Sequence, residues 1–249
     1  MNLKLQNDVY LVGDIHGDTS VVEYLLQSHN LENLTLIFLG DIGIFRYRDY
    51  KRYIKFDQYC KEHNIMVYAL RGNHDNPGFF KEPEHSYKIA KRFWDKFTNF
   101  KPLPDFSIIE YNNFRGFVLG GGTSIDRIIR RSYSSYKNSS SLYSSNDWWS
   151  DETIANIGEL NEKYDFILSH TGPRSPKLSP LTENNCNFFK YDPLLHQDLE
   201  KENKLIEKIQ RQLQPTRWWY GHYHINDNFD FKNTNCRVVD INYLTPLIL

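Results

Sequence analysis

Short apolar runs recur along the first third of the chain, at residues 9–12 (Val-Tyr-Leu-Val), 34–39 (Leu-Thr-Leu-Ile-Phe-Leu) and 65–70 (Ile-Met-Val-Tyr-Ala-Leu), and each breaks at Gly or Arg. Runs this short and this continuous predict strands buried on both faces. The segments between them carry helical spacing. Thr19-Ser20 offers a cap before Val21-Val22-Glu23-Tyr24-Leu25-Leu26, and residues 50–63 alternate polar and apolar positions over a longer stretch. Strand, helix, strand, helix, strand in this order predicts a right-handed parallel unit. Further on, strands are expected at 117–119, 166–168, 217–220 and 237–241, with a helix from about Leu195 to Leu213. Leu195, Leu199, Ile206, Ile209 and Leu213 fall near one face of that helix and read as a core stripe. The Ser/Tyr-rich stretch within about 127–150, which ends at Trp148-Trp149, reads as a loop or insertion near the site. No repeat or linker divides the chain, so residues 1–249 are expected to form one domain.

Polar residues cluster where these strands end. The first strand runs into Gly13-Asp14-Ile15-His16-Gly17, the second into Gly40-Asp41 and the third into Arg71-Gly72-Asn73-His74-Asp75. Later strands run into Ser169-His170 and Gly221-His222-Tyr223-His224. In an open α/β sheet the carboxyl ends of the strands form the ligand crevice, so these clusters are expected to converge. Asp14 and His16 are two apart, as are His222 and His224, and in extended backbone that spacing directs both side chains to one side. Carboxylates, imidazoles and an Asn amide without a thiolate form a mixed N/O set suited to Mn, Fe, Zn, Ni or Co. Seven candidate ligands, Asp14, His16, Asp41, Asn73, His170, His222 and His224, are too many for one catalytic ion. They suit two ions about 3.5–4 Å apart that clamp a displacement at phosphorus. His29, His63, His85 and His196 lie in helical or loop contexts and read as surface or core residues.

Composition narrows the picture. The chain has 249 residues, with 30 Lys and Arg against 31 Asp and Glu, and the resulting formal charge of −1 excludes a strongly basic nucleic-acid coat or polybasic membrane binder. With 17 Tyr, 16 Phe and 5 Trp the chain has ample material for a packed core. Cys60, Cys186 and Cys236 are odd in number and widely spaced, which suits a reducing compartment. No apolar run reaches signal-peptide or membrane-span length, so a cytoplasmic protein without membrane contact is expected.

Gly13-Asp14-x-His16-Gly17, Gly40-Asp41, Gly72-Asn73-His74-Asp75, His170 and Gly221-His222-x-His224 together resemble, in order and context, the calcineurin-like metallophosphoesterase superfamily. The Gly120-Gly121-Gly122-Thr123-Ser124-Ile125-Asp126-Arg127 stretch, followed by Trp148-Trp149, is also similar to small bacterial and phage-type members. The resemblance spans residues 13–224. It implies a four-layer αββα sandwich, two mixed sheets flanked by helices, with a dimetal centre at the strand ends. It also implies that Asp14, His16, Asp41 and His224 hold one divalent transition-metal ion, and that Asp41, Asn73, His170 and His222 hold the other, Asp41 bridging. Mn is the expected metal, ahead of Fe, Zn, Ni or Co. By the same resemblance His74 contacts substrate phosphate and protonates the leaving oxygen, while a metal-bridging hydroxide attacks phosphorus.

The chain departs from the Ser/Thr protein phosphatase branch, whose second motif reads Gly-Asp-x-x-Asp-Arg-Gly. Here Asp41 is followed by Ile42-Gly43-Ile44-Phe45, so the second Asp and the Arg are missing. Asp75, or a residue from elsewhere, is the expected substitute for the Asp that orients the histidine. Arg71 is the first candidate for phosphate contact, with Arg46, Arg48, Arg127, Arg130 and Arg131 as others. The expected activity is a phosphatase on phosphomonoesters, either a phosphorylated small molecule such as a nucleotide or a phosphoprotein. A phosphodiesterase or nuclease is the alternative; nucleic acid is disfavoured by the neutral charge. A non-catalytic binding scaffold is a third reading, and it conflicts with a full set of ligand positions.

Overall fold

A computed structural model describes residues 1–44, 47–80, 88–128, 162–181 and 187–249. The Ser/Tyr-rich stretch beyond Ile128, with Arg130, Arg131, Trp148 and Trp149, lies outside the described residues, as do Arg46, His85 and Cys186. Among the described residues twelve strands form two mixed sheets. The five-stranded sheet has the order β12 (Thr245–Pro246), β2 (Val9–Val12), β3 (Thr35–Phe38), β4 (Met66–Ala69), β5 (Phe100–Pro102). The seven-stranded sheet begins with β1 (Asn2–Leu5), β6 (Ile108–Tyr111) and β7 (Phe114–Leu119). It continues with β8 (Phe166–Ser169), β9 (Arg217–Tyr220), β11 (Thr234–Val238) and β10 (Asp227–Phe231).

Three buried clusters stack these sheets into four layers. Alternation along β3 sends Leu36 and Phe38 to one face, where they meet α1 (Thr19–Ser28), α2 (Tyr50–Glu62) and α3 (Lys88–Trp94) through Val22, Leu26, Phe56, Cys60 and Phe93. Ile37 and Leu39 point the other way and pack between the sheets against Val118, Phe166, Leu168 and Trp219. The outer face of the larger sheet, with Phe117, Ile167 and Trp218, is covered by α4 (Leu195–Leu213) through Leu205, Ile206, Ile209 and Leu213. This is the expected αββα sandwich. Both faces of the central strands are dry, which is why β3 and β8 read as unbroken apolar runs.

The expected parallel unit is present, since β2 pairs parallel with β3 and β3 with β4. Three local expectations change. The cap of α1 is Asp18, whose side chain accepts the Ser20 N–H at 3.1 Å, so Thr19 is already helical. The last long strand is Thr234–Val238, three residues ahead of the expected 237–241, because it pairs antiparallel with β10, which shows no unbroken apolar run. Leu199 is not part of the core stripe of α4; it is half-buried and faces a cavity instead.

Strand register places the site. Val12, Phe38 and Ala69 are direct partners, so β2, β3 and β4 end flush. Leu119, Ser169 and Tyr220 are likewise aligned at the ends of β7, β8 and β9. The two flush edges meet at the seam between the sheets, where the His170 ring Nδ1 of one donates to Leu39 O of the other at 2.8 Å.

Candidate metal centre

The loops leaving β2, β3 and β9 are tight turns rather than extended segments. His16, Asp41, His222 and His224 have φ of 45°, 47°, 67° and 49°, in the left-handed region that costs a non-glycine residue roughly 1–3 kcal/mol. The i, i+2 pairs do converge, but by this turn geometry and not by strand alternation. Two glycines make the convergence possible by close approach. A Cβ on Gly72 would overlap the Asp41 carboxylate, and one on Gly221 would overlap that of Asp14.

The ligand candidates form two overlapping groups whose donor atoms lie within 4.8 Å of one another: Asp14, His16 and His224, and Asp14, Asp41 and His170. Asp14, Asp41, Asn73 and His170 are buried at the seam, while His16 and His224 stack at 5.2 Å between ring centroids on the open side. Asn73 Oδ1 lies 2.6 Å from His170 Nε2 and 3.0 Å from His222 Nδ1, and its amide nitrogen donates to Ser124 Oγ at 2.6 Å. His170 Nε2 is also 3.5 Å from Asp41 Oδ1, and His224 Nε2 is 3.6 Å from Asp14 Oδ2.

The donor chemistry fits cations. A carbonyl can only accept, so His170 Nδ1 carries the ring proton that bonds Leu39 O, and Nε2 is left with a lone pair. Burial, reinforced by His222, His74 and His16, holds His170 well below the usual histidine range, and thus neutral. That lone pair faces the Asn73 oxygen and the Asp41 carboxylate. Burial also lowers His222 to about 3, with the His74, His224 and Arg174 charges adding to the shift. On the acidic side, burial raises Asp14 to about 8 even though the His222 N–H donates to its Oδ1 at 2.8 Å. Asp14 Oδ2 is buried without a hydrogen-bond partner. Lone pairs aimed at one another and an orphaned buried carboxylate oxygen are costly in a bare protein and are relieved by a bound cation.

Other candidates stand elsewhere. Asp75 does not orient His74. Its carboxylate accepts the backbone N–H groups of Ile42, Gly43, Ile44 and Gly72 at 3.1, 2.8, 3.0 and 2.8 Å, and so clamps the second-motif loop to the third. At the position of the second Asp of that motif stands Ile44. Ile42 and Ile44 are fully buried against the helices on the outer face of the smaller sheet. The carboxylate near His74 belongs to Asp126, whose Oδ1 is 4.0 Å from His74 Nε2. Arg71 also changes role, for it is buried, donates from Nε to Asp105 Oδ2 at 2.8 Å, and is folded against Gly120 and Gly121. Arg127 is held by Asp192 and by Asp198, the latter at 2.6 Å, and ties the Asp126 loop to the start of α4. Arg48 is exposed.

A cavity of about 670 Å³ opens from Asp41, Asn73, His74, His222 and His224. Among the described residues lining it, Arg174 is the one Arg or Lys. Sequence reasoning missed it, although it follows His170 in the same strand-end loop, Ser169-His170-Thr171-Gly172-Pro173-Arg174, which is a usable signal. His196, read as a surface or core residue, lines the same cavity.

Polar ligands at a double strand-end seam, beside a histidine and an arginine in a cavity of small-molecule size, define a metal-binding hydrolytic centre. The profile of the calcineurin-like phosphoesterase family matches residues 8–226. The chain belongs to that family and is a phosphoester-hydrolysing enzyme. Among solved structures it is similar to the TT1561 protein of Thermus thermophilus, at 12% identity and a TM-score of 0.50, over 95% of this chain and 90% of that one. It is also similar to a phosphopantetheinyl hydrolase from Mycobacterium tuberculosis, at 14% identity and a TM-score of 0.49, over 94% and 90% of the two chains. A cold-active protein-tyrosine phosphatase of a psychrophilic Shewanella shows 14% identity and a TM-score of 0.44, over 98% and 75%. No curated protein matches the sequence. Among the described residues no helix is long and apolar enough to cross a membrane.

Proposed function

We propose that this protein is a dimetal phosphatase acting on phosphomonoesters. The observation that carries the reading is the convergent donor cluster of Asp14, Asp41, Asn73 and His170, which meets the cavity at Asp41 and Asn73 beside His74. Asp14, His16, Asp41 and His224 would hold one divalent ion and Asp41, Asn73, His170 and His222 the other, with Mn the first metal to test. When bound, the ions neutralise phosphate charge and lower the pKa of water enough to supply a nucleophile near neutral pH. His74 points into the same cavity and donates its proton to the leaving oxygen. Asp126 is its positioning residue, because its carboxylate 4.0 Å from Nε2 attracts the ring when it carries the proton to be donated. The Arg174 guanidinium, held at the cavity by Ser179 O and the Tyr223 ring, binds a phosphate oxygen.

A monoester is favoured over a nucleic-acid backbone because the described cavity wall carries one cation and no basic stripe for successive phosphates. The test is the hydrolysis rate of matched aryl phosphate mono- and diesters with Mn and with chelator, using Asp41→Asn to expose contaminating activity. Mn-dependent monoester preference is expected. Diester preference would replace this reading with a phosphodiesterase or nuclease, and metal-independent turnover would remove its basis.

A further inference from the structure

The half of the cavity away from the metal ligands is mostly apolar, with His196, Glu200 and Asn203 of α4 as its polar members. Leu178 and Leu181 on one connection, Phe188 and Phe189 in the short 3-10 turn Asn187–Lys190, and Leu199 on α4 line it, and all five are half-buried. Leu199 is the informative one. The neighbouring apolar positions of α4, Leu195, Leu205, Ile206, Ile209 and Leu213, are buried in the protein, whereas Leu199 is turned to the cavity. The Phe189 ring meets His196 edge to face at 5.8 Å, so a flat edge is presented beside these aliphatic groups. The wall is braced against the catalytic loop. Arg127 joins Asp126's own loop to Asp192 and Asp198, which flank the first turn of α4, so the apolar wall is fixed relative to His74. Arg174, the one Arg or Lys of the described lining, is tied to Ser179 O and lies over the Tyr223 ring, while the carboxylates of Glu200 and Glu202 line the same cavity.

We infer that this apolar half is a leaving-group pocket, and that the enzyme selects phosphomonoesters whose alcohol carries an apolar, ring-bearing group and no second negative charge. The inference rests on the monoesterase reading above and narrows its substrate class. With phosphate at the metal ligands and His74 at the bridging oxygen, the alcohol leaves toward the apolar wall. A ring there loses water-exposed apolar surface against leucine and phenylalanine side chains. A second anion would lose hydration and face the Glu200 carboxylate beside Leu199. The step itself is balanced hydrolysis: water adds to phosphorus, the P–O bond to the alcohol breaks, and the proton on His74 passes to the alkoxide.

Aryl esters alone cannot test this, since their better leaving groups raise rates in any active site. The experiment therefore compares n-propyl, 3-phenylpropyl and 3-carboxypropyl phosphate, whose alcohols ionise at similar pH, by kcat/KM with the Mn-reconstituted full chain. Burying one ring should favour 3-phenylpropyl over n-propyl phosphate about 10- to 100-fold, and 3-carboxypropyl phosphate should be the poorest of the three. Leu199→Asp and Phe189→Ser, both half-exposed positions that tolerate polar side chains, should each reduce the phenylpropyl-to-propyl ratio at least about fivefold. Equal rates for the phenylpropyl and propyl esters, a carboxypropyl ester as good as propyl, or variants that leave the ratio intact would overturn the pocket while leaving the phosphatase standing. Mn-dependent hydrolysis of none of the three, or hydrolysis that survives Asp41→Asn, would instead overturn the phosphatase reading itself.

Discussion

At one end of the cavity Asp41, Asn73 and His170 are buried, and each is held by a second group: the His74 N–H on Asp41, Ser124 on Asn73, Leu39 O on His170. At the other end Leu178, Phe188, Phe189 and Leu199 are half-buried and packed on a connection and one helix face. The polar end is over-determined and lies at the flush edges of two sheets, so a displacement of any one donor strains several hydrogen bonds. The apolar end is anchored chiefly through Arg127 and the body of α4. Chemistry is thus fixed by the sheets while the recognition of the alcohol is carried by surface elements, the usual division between scaffold and loop.

Substitutions at the polar end should do the most damage. Asp41→Asn removes a charge from both proposed metal sites, and activity should fall by more than the ~10²–10⁴-fold typical of losing one acid-base group, with metal content falling in parallel by elemental analysis. His74→Ala should cost about 10²–10⁴-fold in kcat with metal content retained; loss of the metal as well would make His74 structural. Asp75→Ala strands four buried N–H groups, each worth ~1–3 kcal/mol when left unpaired, so after local relaxation the melting temperature should drop by several degrees even without metal. Asp126→Asn should lower kcat about tenfold in an otherwise intact enzyme and should have no further effect in a His74→Ala background, since a positioning residue acts through its partner.

The smallest effect concerns pH. Asp14 titrates at 3.8 when unperturbed and at about 8 in the metal-free fold, so between these values the folded state holds a proton that the unfolded state has released. Metal-free stability is therefore lost as pH rises from about 4 to about 8. A bound cation removes that penalty, because it favours the ionised carboxylate. The rise in melting temperature on adding Mn should grow from pH 6 to pH 8, and a rise independent of pH would show that Asp14 takes no part in binding.

The same contrast governs what the sequence makes legible. Strand-end residues such as Asp14, Asp41, Asn73 and His170 stand out because an apolar run buried on both faces leaves no other reason for a carboxylate or imidazole at its end. The four layers follow from the same runs. Asp126, Arg174 and Leu199 stand out less, because their roles depend on contacts far apart in the chain. Asp126 reaches a histidine fifty-two positions earlier, and Leu199 fits the helical stripe in sequence yet rotates out of the core in the fold. Arg71 and Asp75 mislead for the complementary reason, since adjacency to His74 in sequence sends their side chains into the supports of the loop and away from the cavity.

The most direct test of the account is the number of metal ions per chain, measured by elemental analysis and by anomalous scattering after reconstitution with Mn, in the wild type and in Asp41→Asn. The account predicts two ions in the wild-type chain, one among Asp14, His16, Asp41 and His224 and one among Asp41, Asn73, His170 and His222, with loss of occupancy in the variant. A single ion, or two ions that Asp41→Asn leaves in place, would contradict it.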